Sequence, residues 1–514
     1  MNRAALAAVA ILLLAGCLHR PAASDLFTPQ SGKVHRFGGT LTFDQPVAMD
    51  GQGNVRDLPA SVAGDAFPLN VEQLLPLAGA EPNIGITSAG SLFINTFDDT
   101  QKSTDHGRTW TRSYVYKTPG SPVTDDQFST ADPMLWVDPD TDRIFADQMQ
   151  SLMVGFCTYL AWSDDEGATW TERPVACGLP HIDHQKMVTA RYHSINGVQP
   201  PANPVYPNVL YMCTNDLDIG TWCTMSYDGG LNWAVQTQAA APDAFCGNIN
   251  GHPAAYPDGT VVLPLSAALT SDGCRRPLEV EVTEDNGLTW TSRQCAPGYG
   301  QVDVDPDITV TPDGTAYMVF RHTDQLHYLL RTTDKFLTCD VFRISPPGIT
   351  LGVFQAITSG DDGKVSMVWL GTRDQQDPGA TPSNATGGSR WHAYVTTSYD
   401  AASADPTFIT HQVTPDEDPV QVGCVWLGGG GGGPHQCRNL LDFIDIVSDK
   451  EGRTYASITD GCVPRNGCSG DLDSVEFQSR DAQVAVLVQD HGRGLVGDSL
   501  LPPLHLLPPV PNPE

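Results

Sequence analysis

"STDHGRTW", residues 103–110, is a polar phrase ending on tryptophan, and it returns three more times at intervals of about sixty residues. Written as Ser/Thr-x-Asp-x-Gly-x-Thr-Trp, it covers Ser103–Trp110, Ser163–Trp170, Ser226–Trp233 (with Asn232 for the threonine) and Thr283–Trp290. Two decayed copies follow. Thr332-Thr333-Asp334 has Phe336 in the glycine's place, and Ser398-Tyr399-Asp400 has Ala402 there. A fixed period of this size marks a repeat architecture. Within each copy the Asp carboxylate can accept backbone N–H groups a few residues on, Gly supplies a backbone conformation closed to other residues, and the Ser/Thr hydroxyl ties the start of the turn. The tryptophan has a large face to bury. The phrase therefore reads as a staple for an outer hairpin.

A second pattern precedes each phrase: an apolar run opening on a polar residue, a Gly-bearing turn, then another apolar run. It begins at Glu81, Asp132, Asp183, Gly251, Val304, Val353 and Asp442. Pro-Asp-Gly and related turns between β-rich runs are hairpins, since Asp and Gly tolerate positive φ. Four short antiparallel strands repeated about an axis form a propeller blade. The fold class expected is all-β, a β-propeller of four-stranded blades, seven by the hairpin openings with six as the alternative. Residues 35–49 are strand-like and are expected to close the ring against the last blade, removing exposed sheet edges.

The domain plan is a signal peptide with a lipobox at 1–17, a tether at 18–33, the propeller at 34–490 and a Pro-rich tail at 491–514 with no core to join. Arg3 is followed by an apolar run from Ala4 to Ala15, too short to span a membrane. Leu14-Ala15-Gly16-Cys17 resembles the lipobox of bacterial lipoproteins, which implies cleavage before Cys17, acylation of its thiol, and anchoring to a membrane facing the periplasm or the cell exterior. Setting Cys17 aside, 12 of 13 cysteines remain, an even number suited to an oxidising compartment. Local pairs expected are Cys157–Cys177, Cys274–Cys295, Cys213–Cys223, Cys424–Cys437 and Cys462–Cys468, leaving Cys246 and Cys339. The formal charge of −31 argues against a nucleic-acid partner, whose phosphates would be repelled. The six glycines Gly428–Gly433 lack the Gly-Lys-Ser/Thr ending of a phosphate loop, and the "GDSL" at Gly497–Leu500 has no preceding strand, so neither reads as a site.

The repeated phrase resembles the Asp box, or BNR repeat, of bacterial sialidases and related propellers. The resemblance implies that Asp105, Asp165, Asp228 and Asp285 are structural and lie on the rim away from any active site. It also implies an arginine from an Arg-Ile-Pro motif on the strand before the first box, one of three that hold a substrate carboxylate. Here that stretch reads Glu81-Pro82-Asn83-Ile84. Arg321 is the best-placed remaining arginine, with Arg143 and Arg373 weaker, and Tyr455 reads as a buried strand tyrosine. True exo-sialidase activity is therefore not expected.

In a propeller the innermost strands open near the central channel. The residues at those openings are Glu81, Asp132, Asp183 with His184, His252, Asp305 with Asp307, and Asp442 with Asp445. An acidic ring of this kind suits a cation or a cationic ligand, and oxygen donors suit calcium, with Asp132, Asp305 and Asp307 as its candidate ligands. The leading expectation is a binding or scaffolding module for a glycan, cation, glycoprotein or surface protein, with no certain cofactor. His184, His252, Arg321, Asp442 and Asp445 are the expected ligand-binding groups. The competing expectation is a glycoside hydrolase of sialidase-like fold in which two of Glu81, Asp132, Asp183 and Asp305 serve as acid and base.

Overall fold

A computed structural model describes residues 46–58, 70–78, 81–95, 99–115, 131–149, 158–179, 182–216, 219–242, 249–266, 276–301, 305–425, 440–462 and 482–504, apart from 202, 234, 376, 378, 386–387, 415 and 417. Seven antiparallel sheets of at least four strands follow one another along the chain. Their innermost strands are Asn83–Ile86, Ala131–Val137, Ile182–Arg191, Ile249–Asn250 continued by Ala254–Ala255, Asp307–Val310, Leu351–Ser359 and Asp445–Ser448. Each packs beside the next, and the last packs beside the first. The sheets are thus blades 1 to 7 of a closed β-propeller.

The strands form where apolar residues can be buried between neighbouring blades. Val365–Thr372, the second strand of blade 6, is buried at every position, and Trp369 there stacks on Tyr394 of the next strand at 4.5 Å. Pro-Asp-Gly turns link the first two strands of blades 4 and 5. Gly259 and Gly314 adopt φ of 87° and 82° and donate their N–H groups to Tyr256 O and Thr311 O at 2.9 Å.

Each box joins the third and fourth strands of its blade. In blade 1 the Asp105 carboxylate accepts Ser103 Oγ–H at 2.8 Å, Thr109 N–H at 2.9 Å and Thr109 Oγ1–H at 2.7 Å, while Gly107 N–H donates to Ser103 Oγ. The same pattern recurs around Asp165, Asp228 and Asp285. The copy at Asp334 is intact as well. Buried Phe336 occupies the glycine's place at φ 66°, and Thr338 supplies the usual bonds. Because the third strand runs parallel to the first, every box lies on the face opposite the openings of the inner strands.

Ring closure differs from the expectation. Val47–Met49 pairs with Phe408–Thr410 at the outer edge of blade 6, not with the last blade. The fourth strand of blade 7 is instead Asn70–Ala78, paired with Gln483–Gln489, so a segment preceding blade 1 completes the final sheet. The tail also differs, since part of it is built into the fold. Gly492–Arg493 pairs with Leu500–Leu501, and Leu495 is buried. Gly497 bonds Asp361 and Lys364 of blade 6, and Leu504 O accepts Arg108 of blade 1. This strap runs across the closing seam, and the "GDSL" residues belong to it.

Cys213 and Cys223 are bonded across directly opposed positions of blade 3. Cys295 pairs with Cys339, not Cys274, which ties the end of blade 4 to the outer edge of blade 5; Cys339 stands where the other boxes carry tryptophan. Cys177, Cys424 and Cys462 are disulfide-bonded, while Cys157, Cys246, Cys274, Cys437 and Cys468 lie outside the described residues, as do residues 1–45 with Cys17. Because the Asp105 carboxylate closes its turn with several hydrogen bonds far from the axis, Asp105→Ala is expected to lower unfolding free energy by about 1–3 kcal/mol in urea titration. Ligand binding at the axis should be unchanged.

Candidate functional site

The positive-φ residues at the inner openings repeat from blade to blade. Glu81, Asp132, His184 and Asp305 have φ between 48° and 55°, and Phe354 holds the corresponding place in blade 6 at 51°. Such a backbone bends each strand as it leaves the axis, and the ladder shows an irregularity at these points in blades 2, 3 and 6. The bend lets one blade's side chain cap the next blade's backbone. Glu81 Oε2 accepts Asp132 N–H at 3.2 Å, and Asp132 Oδ2 accepts His184 N–H at 2.9 Å. One step outward, Asn83 Oδ1 accepts Leu135 N–H, Asp307 Oδ2 accepts Ile357 N–H, and Asp445 Oδ2 accepts Ile84 N–H across the closing seam.

Three clusters of potential ligand groups result, each with atoms within 4.8 Å of one another: Asp132, Asp183 and His184; Glu81, Asp132 and Asp442; and His252, Asp307 and Asp445. Asp305 does not join them. It is buried between two cations, with Oδ1 at 3.1 Å from His184 Nδ1 and Oδ2 at 3.4 Å from Lys186 Nζ. The expected calcium trio of Asp132, Asp305 and Asp307 is thus spread over separate groups. Lys186 was not among the sequence-based candidates. Its ammonium, fully buried, lies 3.6 Å from the centre of the Phe443 ring. The only sequence signal was a lysine amid an otherwise apolar run, "KMVTA".

Arg321 lies at the end of the second strand of blade 5. It is buried and donates to Gln325 Oε1 at 2.7 Å and Gly352 O at 3.1 Å. Arg143 pairs with Asp164 and Gly229 O beside a box, and Arg373 bonds Gln412 and Asp416. Tyr455 is buried, its hydroxyl between His106 and Asp449.

The charges at the axis are strongly coupled. Burial works against a charge on Asp305, yet Lys186 and His184 hold its carboxyl well below the usual range. Burial likewise opposes the charged His184, but Asp305 and Asp183 overcome it and keep the imidazole protonated well above its ordinary range. Burial pushes Asp183 up to about 7; His184 opposes the shift, and Asp132 and Asp442 add to it. Asp445 is pushed to about 7 by burial, against the N–H groups of Ile84 and Ile446. Asp307 rises through burial and the neighbouring Asp445. His252 falls to about 3, because burial and Lys186 both oppose its charge. Asp183 and His252 keep some solvent-accessible surface, whereas Glu81, Asp132, Asp305, Asp307, Asp442 and Asp445 are closed off. The accessible part of the axis therefore presents a carboxyl that holds its proton close to neutrality, alongside a neutral imidazole.

Residues 186–340 match the family model of the BNR repeat-like domain. No curated protein matches the chain. Among solved structures, a protein of unknown function from Dyadobacter fermentans is 12% identical, with 80% of this chain and 95% of that one covered and a TM-score of 0.39. The α-L-arabinanase of Penicillium chrysogenum, solved with arabinobiose, is 15% identical over 64% of this chain and 94% of that one, with a TM-score of 0.40. The intramolecular trans-sialidase of Ruminococcus gnavus, solved with oseltamivir carboxylate, is 15% identical over 82% and 95%, with a TM-score of 0.36. At such identities no residue role passes from these proteins to this chain.

Asp183 keeps its proton in the folded state at pH values where the unfolded chain has lost it. Its linkage therefore lowers stability as pH rises from about 4 to about 7, with no further loss above that. Asp183→Asn removes the effect. The variant is expected to gain up to about 4 kcal/mol over the parent at pH 8 and little at pH 4, measured by denaturant unfolding at both pH values.

Proposed function

We propose that this propeller of the sialidase-like BNR-repeat superfamily is a binding module that takes a neutral or cationic ligand, a glycan foremost, at the mouth of its central channel. One observation carries the reading: the inner-strand openings bring seven carboxyl groups, Glu81, Asp132, Asp183, Asp305, Asp307, Asp442 and Asp445, to the axial clusters and their neighbouring ion pairs, against the cations Lys186 and His184. Such a field repels an anion and attracts a cation. Glu81 stands where the sialidase resemblance calls for an arginine, so a sialic acid carboxylate would meet a carboxylate. Glu81, Asp132 and Asp442 offer only oxygen donors and suit calcium.

A second reading rests on Asp183. A partly accessible carboxyl protonated near neutrality beside Asp132 is the pairing that acid catalysis on a glycosidic bond requires. Calorimetric titration of the full chain with neutral, cationic and sialylated oligosaccharides, with and without calcium, combined with product analysis, separates the two. Saturable binding of a neutral or cationic glycan, without product and weakened at least about tenfold in Asp132→Asn, is the expected result. Product release that disappears in Asp183→Asn would make the protein a hydrolase. Sialoside binding abolished by Asp132→Asn would overturn the charge argument.

We also propose export and anchoring through Cys17, supported by the Leu14–Cys17 lipobox. Cells fed labelled palmitate should label the parent and not Cys17→Ser, and only the parent should fractionate with membranes. Equal labelling of the two would refute the anchor.

A further inference from the structure

Three of the four complete Asp boxes give their indole N–H an acceptor. Trp110 Nε1 donates to Gly107 O at 2.8 Å, Trp170 Nε1 to Gly167 O at 3.1 Å and Ser113 Oγ at 3.3 Å, and Trp290 Nε1 to Thr237 Oγ1 at 3.0 Å. Trp233 in blade 3 departs from this: its Nε1 is buried and has no acceptor among the described residues. The neighbouring blade differs at the same seam. Ser113 and Thr237 sit on the outer strands of blades 1 and 3, and each hydroxyl donates to the carbonyl of the next box's glycine, Gly167 or Gly287. Thr237 lies opposite Cys223, three residues before box residue Ser226. The same register in blade 2 is held by Arg173, opposite Leu160, three before Ser163. Arginine has no acceptor to offer.

Where the seams between blades 1 and 2 and between blades 3 and 4 have a hydroxyl bridge, this one has a groove of about 400 Å³ lined by Arg173, Leu231, Asn232, Trp233 and Gln236, among others. Arg173 is exposed, and among the described residues its one polar contact is the carbonyl of Glu172 at 2.8 Å. Asn232 and Gln236 are exposed amides whose nitrogens are engaged by Asp228 and Thr224, which leaves their oxygens to the groove.

We propose that this groove, on the rim between blades 2 and 3, is a saccharide subsite for a sugar unit that carries a carboxylate. An indole wall suits the C–H face of a pyranose. The Arg173 fork, unpaired in a chain of net charge −31, suits a planar carboxylate. The amide oxygens of Asn232 and Gln236 accept from sugar hydroxyls. The chemistry is complementary to the axial mouth, which disfavours anions, so the two sites are separable by ligand charge.

The test is titration of the full chain with trigalacturonate, its methyl ester and 3′-sialyllactose, read by tryptophan fluorescence. At least one of the two acidic sugars should bind saturably, and where that is trigalacturonate its ester should bind at least about tenfold more weakly. Which acid binds distinguishes a uronic from a sialic source. Arg173→Gln, at an exposed position, should erase the preference for the acid, and Trp233→Phe should weaken binding about tenfold with the circular dichroism spectrum retained. Asp183→Asn should leave it unchanged. Absence of binding by both acidic sugars, or affinity unaltered in Arg173→Gln, would overturn the subsite. Loss in Asp183→Asn would assign the binding to the axis and overturn it equally.

Discussion

Seven inner strands that converge on one axis must bring their first residues together, and in this chain those residues are mostly acids. Buried carboxylates without partners would be too costly to keep charged. The chain meets the constraint in three ways. Asp305 is matched by Lys186 and His184, several acids accept backbone N–H groups of the next blade, and Asp183, Asp307 and Asp445 hold protons to higher pH. The caps make the acids part of the structure that holds the blades in register. The same residues thus fix the geometry of the axis and give it its charge.

The opposite face follows a simpler rule. Each box closes on itself within eight residues and needs from its neighbours only a surface for its tryptophan, so it tolerates change at single positions. Phe336 replaces a glycine and Cys339 a tryptophan, yet the Asp334 carboxylate makes the same bonds. Between blades 2 and 3, where Arg173 stands in place of a hydroxyl, the turns of both boxes persist beside a groove. Functional variation on this face is therefore more readily placed at seams than within boxes.

Closure of the ring depends on segments far apart in the chain. Asn70–Ala78 completes blade 7, and the strap from Gly492 to Leu504 reaches blades 6 and 1. A final sheet made from both ends of the propeller couples the first blade to the last, so unfolding of one end exposes the edge of the other.

The boxes, the hairpins and the blade plan were legible in the sequence because each rests on hydrogen bonds and turns made within a few consecutive residues. So was the convergence of the inner openings, since Glu81, Asp132, Asp183 and Asp442 inherit it from the repeat. What tertiary structure decided was which of these acids share a cluster, that Lys186 neutralises Asp305, that Cys295 pairs with Cys339, and that residues 70–78 complete the last blade while 47–49 lie on blade 6. Those outcomes depend on distances between groups on different blades. A periodic sequence places every blade alike and carries no local mark of which side chain its neighbour will present.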